Sequence, residues 1–326
     1  MDASGVVRFL GEDWKALTVL MHDALRSDIS LLNRTNEALL SNSGKMLRPM
    51  LALLTARACA GRASEASLKY AAAAEILHNA TLFHDDVADA SNERRGVPTV
   101  ASMLGNTASV LLGDYWLVKA MDLILATGNL GSSVIRVFAK TLSDLAEGEM
   151  LQLEKARLCD TSKDDYLRII YSKTASLFEA SCVSAAMSVG ASGEVVSAVR
   201  SYGVNLGLAF QVKDDIMDYA SDAAIGKPTG VDLMEQKITI PLLGALENAG
   251  EERGAEVRKM VRDIHSDPGT CAAVRRFVEE NDGIGRAREM LVELVSKAKD
   301  ALSPLPESEA RHMMEQLADY TAYRDR

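Results

Sequence analysis

The chain has 326 residues, enough for one large domain or two ordinary ones with a sizeable hydrophobic core. Its composition, 48% hydrophobic and 25% charged residues, is typical of a soluble globular protein, and its net charge of −10 argues against a nucleic-acid partner. No apolar run is long enough to span a bilayer, and residues 1–4 lack the basic start of a secretory signal. We therefore expect a cytoplasmic protein.

Apolar residues recur with the helical period along most of the chain, and no strand-like alternation is sustained. The pattern predicts helices over 66–90, 107–126, 131–156, 164–189, 194–220, 236–249, 253–265, 268–280, 284–301 and 307–321. Capping chemistry favours helix starts at Thr161-Ser162 and at Ser303, which precedes Pro304. The predicted fold class is therefore all-α, a single domain over 1–326 built as a bundle of about ten or more helices.

Two acidic clusters of the form Asp-Asp-x-x-Asp lie inside apolar helical segments. The first comprises Asp85, Asp86 and Asp89, and the second comprises Asp214, Asp215 and Asp218. Residues four apart share one face of a helix, so the outer two Asp side chains of each cluster can point the same way. Carboxylates crowded into apolar surroundings repel one another unless a cation joins them. Two such clusters facing each other would form an all-oxygen site suited to Mg²⁺.

A pair of arginines, Arg94 and Arg95, follows the first cluster and is itself followed by Gly96. The arginines could simply be the salt-bridge partners of the carboxylates. Alternatively, they hold phosphate oxygens while the carboxylates hold metal ions on the same phosphates. A single acidic cluster would be weak evidence for a site. Two clusters, one of them followed by Arg-Arg-Gly, favour a metal-dependent site for a phosphorylated substrate.

With these motifs the chain resembles the trans-isoprenyl diphosphate synthases, the polyprenyl synthetase family. Gly44-Lys45-Met46-Leu47-Arg48-Pro49 is similar to that family's Gly-Lys-x-x-Arg-Pro signature for the homoallylic diphosphate. The similarity extends from about residue 40 to 245, and the last third carries no comparable signature. It implies the isoprenoid synthase-like fold, in which the helices surround a deep central cavity.

The resemblance also implies roles for individual residues. The residues implied to bind substrate are Gly44, Lys45, Arg48, His78, Arg94, Arg95, Lys173, Thr174, Gln211, Lys227 and Lys237. Among them, the residues implied to be catalytic, lining the cation and the allylic diphosphate, are Lys173, Thr174, Gln211 and Lys237. The six clustered Asp residues would hold Mg²⁺, three ions when substrate is bound. Taken singly, a basic pair, a core glutamine or a lone histidine can equally be structural.

The implied reaction joins isopentenyl diphosphate to an allylic diphosphate by trans 1′-4 elongation and gives a long-chain polyprenyl diphosphate, as for a quinone side chain. Alternatives are a short-chain synthase making geranylgeranyl or farnesyl diphosphate, and a non-catalytic subunit of a heteromeric synthase. The implied partners are the two diphosphates and a second copy in a homodimer, for which 107–126 offers an apolar surface that could equally be core. No nucleic acid is expected, and at most transient membrane contact for product release.

The helix preceding Asp85 bears on product length. Thr81 and Leu77 lie one and two turns before Asp85 on the same face, and Ala80 lies beside Thr81. One turn rises about 5.4 Å, comparable to one isoprene unit. In the family, aromatic residues just before the first acidic cluster close the bottom of the pocket and stop chain growth early. The small Ala80 and Thr81 therefore favour a deep pocket like that of octaprenyl-type synthases. A neighbouring helix could close the tunnel instead, and the candidates for this are Met121, Leu125, Phe138 and Leu142.

Overall fold

The computed structural model describes residues 3–42, 44–94, 96–219, 230–267 and 269–324. In chain order the elements are α1 (Ala3–Leu10), α2 (Glu12–Ala24), α3 (Ser30–Ser41), α4 (Leu47–Ala60), α5 (Glu65–Ala88), β1 (Glu93–Arg94), β2 (Val97–Pro98), α6 (Val100–Leu104), α7 (Asn106–Leu125), α8 (Asn129–Leu158), α9 (Lys163–Ile170), α10 (Ser176–Ser188), α11 (Gly193–Tyr219), α12 (Val231–Met234), α13 (Ile240–Ala249), α14 (Glu251–Arg262), α15 (Thr270–Glu280), α16 (Gly283–Ala301) and α17 (Glu309–Tyr323). A five-residue π-helical turn, Tyr171–Ala175, joins α9 to α10. The prediction of an all-α fold is confirmed.

The described residues form two compact units. The first consists of Met1–Ala139, Ala180–Arg200 and Pro304–Met314, and the second of Lys140–Glu179, Ser201–Ser303 and Glu315–Arg326. The single domain over 1–326 stays a prediction. None of the helices in the described ranges combines the length and the apolar composition that a membrane span requires.

The helices that were predicted have boundaries within a few residues of those observed, but one predicted start is wrong, and α1–α4, α6 and α12 were not predicted. Ser303 belongs to the turn that closes α16, where its N–H donates to the Asp300 carbonyl at 3.1 Å. The next helix is capped later by Ser308, whose Oγ accepts the N–H of Arg311 at 3.2 Å. The predicted start near residue 162 is confirmed, because Ser162 caps α9. Pro304 alone therefore did not mark the first turn of a helix.

In the first unit, α5 packs against α2, α4 and α7 and presents a buried stripe of small and aliphatic side chains. Trp116 of α7 is fully buried beside it and packs edge-to-face against Phe83, with the two ring centroids 5.2 Å apart. The indole N–H donates to the Asn36 side chain at 2.8 Å, so the polar end of the ring is satisfied. This packing fixes the C-terminal end of α5, where the first acidic cluster lies.

In the second unit, α13 packs against α9, α14, α15 and α16. Its core consists of aliphatic and aromatic residues from these helices, among them Leu242, Val257, Phe277 and Leu291. Arg258 of α14 donates to the backbone carbonyls of Cys159 and Thr161 at 3.1 Å each. The segment that leads into α9 is thereby tied to the core, and α9 with the π-helical turn carries part of the predicted site.

Candidate active site

The first acidic cluster closes α5. Asp85 is half-buried and Asp89 is exposed, whereas Asp86 is almost fully buried. The N–H of Asp89 donates to the Asp85 carbonyl at 2.8 Å, so the outer two residues lie one turn apart, as predicted. The outer carboxylates therefore share the accessible face of the helix, and the middle one is turned towards protein.

Arg94 lies in a two-stranded hairpin and pairs with the middle carboxylate of this cluster. Its Nε and one terminal nitrogen each lie 2.8 Å from Oδ1 of Asp86, which is the salt-bridge alternative that the sequence left open. The Arg94 side chain is still about one-third exposed, so part of its donor fork faces solvent. Arg95 and Lys227, both predicted to bind substrate, lie outside the described residues.

The Gly-Lys-x-x-Arg-Pro segment forms the entry to α4. Gly44 and Met46 both have positive φ, +70° and +48°, and the second is uncommon for a residue other than glycine. Lys45 is exposed and Arg48 is half-buried in the first turn of the helix. His78, predicted to contact the same substrate, is half-buried on α5 of this unit. Backbone strain of this kind is concentrated at functional loops.

The middle carboxylate of the second cluster, Asp215, is the centre of a buried hydrogen-bond chain in the second unit. Tyr166 of α9 donates its hydroxyl to Oδ2 of Asp215 at 2.7 Å, and Gln211 donates its amide to Oδ1 at 2.9 Å. The amide oxygen of Gln211 in turn accepts the Thr174 hydroxyl at 2.8 Å. Two predicted catalytic residues and one predicted metal ligand are thus brought into direct contact.

The outer carboxylates of the second cluster have different partners. Asp214 accepts a guanidinium N–H of Arg324 at 2.7 Å, and its side chain is 38% exposed. Asp218 accepts the backbone N–H groups of Val231 and Asp232 at 3.2 Å each, at the start of α12. Each outer carboxylate is therefore oriented by donors of the second unit.

Lys173 and Thr174 stand on the π-helical turn, which the sequence did not predict. The ammonium of Lys173 pairs with the carboxylate of Glu149 on α8. Two glycines let neighbouring helices approach this turn closely. A Cβ at Gly148 would lie 2.5 Å from Ser172 Cβ, and a Cβ at Gly207 would lie 2.5 Å from the Cα of Ala175. π-helical turns occur frequently at functional sites, and this one positions two candidate catalytic side chains.

A cavity of about 160 Å³ in the second unit is lined by several of the side chains described above, among them Lys173, Gln211 and Asp215. The residues that line it are Gln152, Ala156, Thr161, Tyr166, Ile169, Ile170, Lys173, Gln211, Asp215, Asp232, Lys237, Ile238 and Thr239. Lys237 also pairs with Glu235. Sequence analysis did not identify Tyr166 and Asp232 as site residues. Asp232 could have been identified, because it begins the segment Asp-Leu-Met-Glu-Gln-Lys, which ends at Lys237.

The electrostatics of this cavity oppose an isolated negative charge. Burial raises the pKa of Asp215 to about 8, with a further upward contribution from the charge of Asp232, while the donors Gln211 and Tyr166 act in the opposite direction. Burial raises the pKa of Asp232 to about 6, again with a neighbouring carboxylate, Asp218, adding to the effect. Clustered carboxylates of this kind are stabilised in their ionised form by a bound cation.

The predicted metal is Mg²⁺, and the donors fit it. Within the described ranges, no three His, Cys, Asp or Glu side chains are gathered closely enough to hold a metal ion by themselves. Mg²⁺ binds through one or two carboxylates and completes its octahedral shell with water and substrate phosphates. Each cluster offers carboxylate oxygens alone, on partly exposed outer residues. This donor set suits Mg²⁺ better than a soft metal that prefers nitrogen or sulfur.

The predicted chain-length residues all lie on α5 in the first unit. Leu77 and Ala80 are fully buried, whereas Thr81 is half-buried and donates its hydroxyl to the His78 carbonyl at 2.8 Å. Phe83, the nearest aromatic residue, packs against Trp116. Small side chains therefore stand at positions 80 and 81, one turn before Asp85.

A helical fold with two Asp-Asp-x-x-Asp motifs defines a prenyltransferase of the isoprenoid synthase type. The chain belongs to the polyprenyl synthetase family, whose model matches residues 29–278. It is 35% identical over 330 residues to octaprenyl diphosphate synthase of Escherichia coli K12, with all of both chains covered. The family resemblance predicted from the motifs is confirmed.

Two solved structures support the fold assignment. Decaprenyl diphosphate synthase of Rhodobacter capsulatus matches with a TM-score of 0.92 and 35% identity, covering 100% of each chain. Polyprenyl synthase of Caulobacter crescentus CB15, complexed with calcium and isoprenyl diphosphate, matches with a TM-score of 0.89 and 34% identity, covering 99% of this chain and 98% of the other. The isoprenoid synthase-like fold is thereby confirmed.

Proposed function

We propose that the protein elongates an allylic diphosphate with isopentenyl diphosphate, in a Mg²⁺-dependent reaction, to give a long-chain polyprenyl diphosphate. The observation that carries the proposal is the convergence of Lys173, Gln211, Asp215 and Lys237 on one cavity of the second unit. These residues stand up to 64 positions apart in the chain (237 − 173) and combine cationic, amide and carboxylate groups, as a metal-bound diphosphate would require.

The two acidic clusters are proposed to hold Mg²⁺, three ions when substrate is bound. We assign direct ligation to the outer residues, Asp85, Asp89, Asp214 and Asp218, because they are more accessible than the middle ones. The middle carboxylates of the clusters, already bonded to Arg94 and to Tyr166 and Gln211, orient the helices. When bound, Mg²⁺ would neutralise the diphosphate and make it a better leaving group.

The remaining residues bind and orient the reactants. The diphosphate of isopentenyl diphosphate is proposed to be held by Lys45, Arg48, His78, Arg94 and Arg95. Lys173 and Lys237 bind the allylic diphosphate, and the oxygens of Thr174 and Gln211 face the allylic carbon as positive charge develops there. The allylic C–O bond breaks and releases diphosphate, and the isopentenyl double bond forms the new C–C bond. The resulting cation then loses one proton to the released diphosphate, which restores a double bond in a product five carbons longer.

A long product is favoured by the small residues Ala80 and Thr81, and it suits a quinone side chain. We also propose a homodimer built on α7. Leu111, Val118 and Leu125 are spaced seven residues apart on this helix, and their exposures are 63%, 58% and 52%. Apolar residues at this spacing form one stripe that another helix would cover. We place the reaction in the cytoplasm, with transient membrane contact at most during product release.

Two alternative functions compete with this proposal. A short-chain synthase would make geranylgeranyl or farnesyl diphosphate with the same side chains, and the small residues before Asp85 speak against farnesyl. A non-catalytic subunit of a heteromeric synthase would be expected to have lost at least one acidic cluster, and both are intact. The product analysis below distinguishes all three.

The test is incubation of the purified protein with Mg²⁺, farnesyl diphosphate and labelled isopentenyl diphosphate, followed by chromatography of the products. We expect label in products of about forty carbons, loss of incorporation in EDTA, and at least about a 100-fold loss of rate in Asp85→Asn and Asp214→Asn. Asp300→Asn, an exposed Asp on α16, is the matched control. No incorporation would support the non-catalytic alternative, and products of twenty carbons or fewer would overturn the long-chain assignment.

A further inference from the structure

A buried arginine after the last helix contacts the second acidic cluster, although the last third of the chain carries no motif. Arg324 directly follows α17, and its side chain is 5% exposed. One terminal nitrogen donates to Oδ1 of Asp214 at 2.7 Å and to the Phe210 carbonyl at 3.0 Å. The contacting residues lie 110 and 114 positions earlier in the chain, on α11 of the same unit.

The guanidinium is held by more than its carboxylate partner. It lies over the ring of Phe210, 3.8 Å from the centroid, and that ring packs against Phe178 at 5.6 Å. A cation on an aromatic face and a bond to a backbone carbonyl both anchor it to α11 without Asp214. Asp214 is the more exposed member of the pair, so Arg324 is the fixed group and the carboxylate is the group that it orients.

We propose that Arg324 is a positioning residue for Asp214, which it holds in one orientation so that the second carboxylate oxygen can meet a metal ion. The inference rests on the proposed metal-binding role of Asp214. It assigns a role in the site to Arg324, the residue after α17. Partners that orient metal ligands from behind typically change metal affinity 10- to 100-fold when they are removed.

An alternative role for Arg324 is simple neutralisation of the Asp214 charge. The two roles predict different behaviour for Arg324→Gln, whose amide can still donate to the carboxylate but carries no charge. If Arg324 positions Asp214, glutamine should restore much of what alanine loses. If it only neutralises charge, glutamine should behave like alanine, and Arg324→Lys, which keeps the charge but not the planar fork, should be the better replacement.

The first measurement is the rise in melting temperature caused by Mg²⁺ with inorganic diphosphate, because a ligand of the folded state stabilises it by mass action. We expect Arg324→Ala to need about tenfold more Mg²⁺ for the half-maximal rise. In turnover, KM for the allylic diphosphate should rise while KM for isopentenyl diphosphate changes less than about twofold. In an Asp214→Asn background, Arg324→Ala should have no further effect on the Mg²⁺ response.

Lys299→Ala is the matched control, because it removes a different ion pair of the same unit, that of Lys299 with Asp319 at 3.0 Å. It should leave the Mg²⁺ response unchanged. An unchanged response in Arg324→Ala, additive effects in the double variant, or glutamine behaving as alanine would each overturn the positioning role. If Asp214→Asn itself leaves the Mg²⁺ response intact, the proposed metal role of Asp214 fails instead.

Discussion

Replacing Gly148 by alanine tests whether close packing of α8 on the π-helical turn positions the candidate catalytic lysine. The added Cβ would lie 2.5 Å from Ser172 Cβ and 3.2 Å from Lys173 Cγ. Carbon atoms in contact prefer separations of about 3.5–4.0 Å, so the turn must move by about 1 Å. Because the nearest atom is a Cβ rather than the end of a long side chain, rotamer change alone cannot relieve the overlap.

Both stability and rate should respond to this shift. Overpacking of a close contact costs about 1–3 kcal/mol, which lowers the melting temperature by a few degrees in a chain of this size. A displacement of about 1 Å in a positioned group can cost about 100-fold in rate. We therefore expect Gly148→Ala to reduce kcat by about 100-fold, out of proportion to its effect on folding.

The assay is steady-state incorporation of labelled isopentenyl diphosphate, with melting temperature measured on the same samples. Gly193→Ala is the matched control, because Gly193 lies at the start of α11 and a Cβ there meets nothing within 4 Å. It should retain full activity and melt at the same or a slightly higher temperature. A kcat of Gly148→Ala within threefold of the parent protein would show that the close packing at Gly148 does not position Lys173.

The remaining predictions concern chain length and the buried acid. Thr81→Phe and Ala80→Phe should both shift products towards fifteen or twenty carbons. Ala80→Phe should also lower the melting temperature, because Ala80 is fully buried. Unchanged product length in both variants would show that residues 80 and 81 do not limit the depth of the pocket. Tyr166→Phe should lower the free energy of unfolding by about 1–3 kcal/mol, read from chemical denaturation, because it removes the hydroxyl that a buried oxygen of Asp215 accepts; equal stability would show that bond to be dispensable. Burial raises the pKa of Asp215 to about 8 from an ordinary 3.8, so ionisation opposes folding and the melting temperature in EDTA should fall as pH rises from 5 to 8. In Asp232→Asn, the melting temperature should depend less on pH, since the Asp232 charge contributes to the raised pKa of Asp215. An equal pH dependence in this variant and the parent protein would contradict that contribution.

The helical fold could be predicted because the chain keeps the 3.6-residue period over long segments bounded by Gly, Pro and Ser. The acidic clusters could be predicted because the three Asp residues of each cluster lie within five consecutive positions of the sequence. Arg94 pairs with Asp86 across eight residues, which is also within reach of a sequence pattern. These features depend on spacing along one helix or one turn.

The partners of the second cluster could not be predicted in the same way. Tyr166 reaches Asp215 from 49 positions away, and Arg324 reaches Asp214 from 110 positions away. Neither residue stands in a motif, and a single tyrosine on a helix or a single arginine after one has no distinguishing sequence pattern. The π-helical turn was missed for another reason, because residues 174–186 are all buried and carry no 3.6-residue alternation that would show a change of phase within the predicted helix 164–189.

The π-helical turn also determines how the continuous helical segment from α9 to α10 tolerates the loss of a residue. An α-helix advances about 100° per residue, and a π-helical turn accommodates roughly one extra residue, so α10 faces about 100° away from its direction in an unbroken helix. Deleting one residue from Tyr171–Ala175 would let α9 continue into α10 as a regular helix. The same deletion would rotate Lys173 and Thr174 out of phase with Gln211. A single-residue deletion here would thus give a more regular helix and a non-functional enzyme.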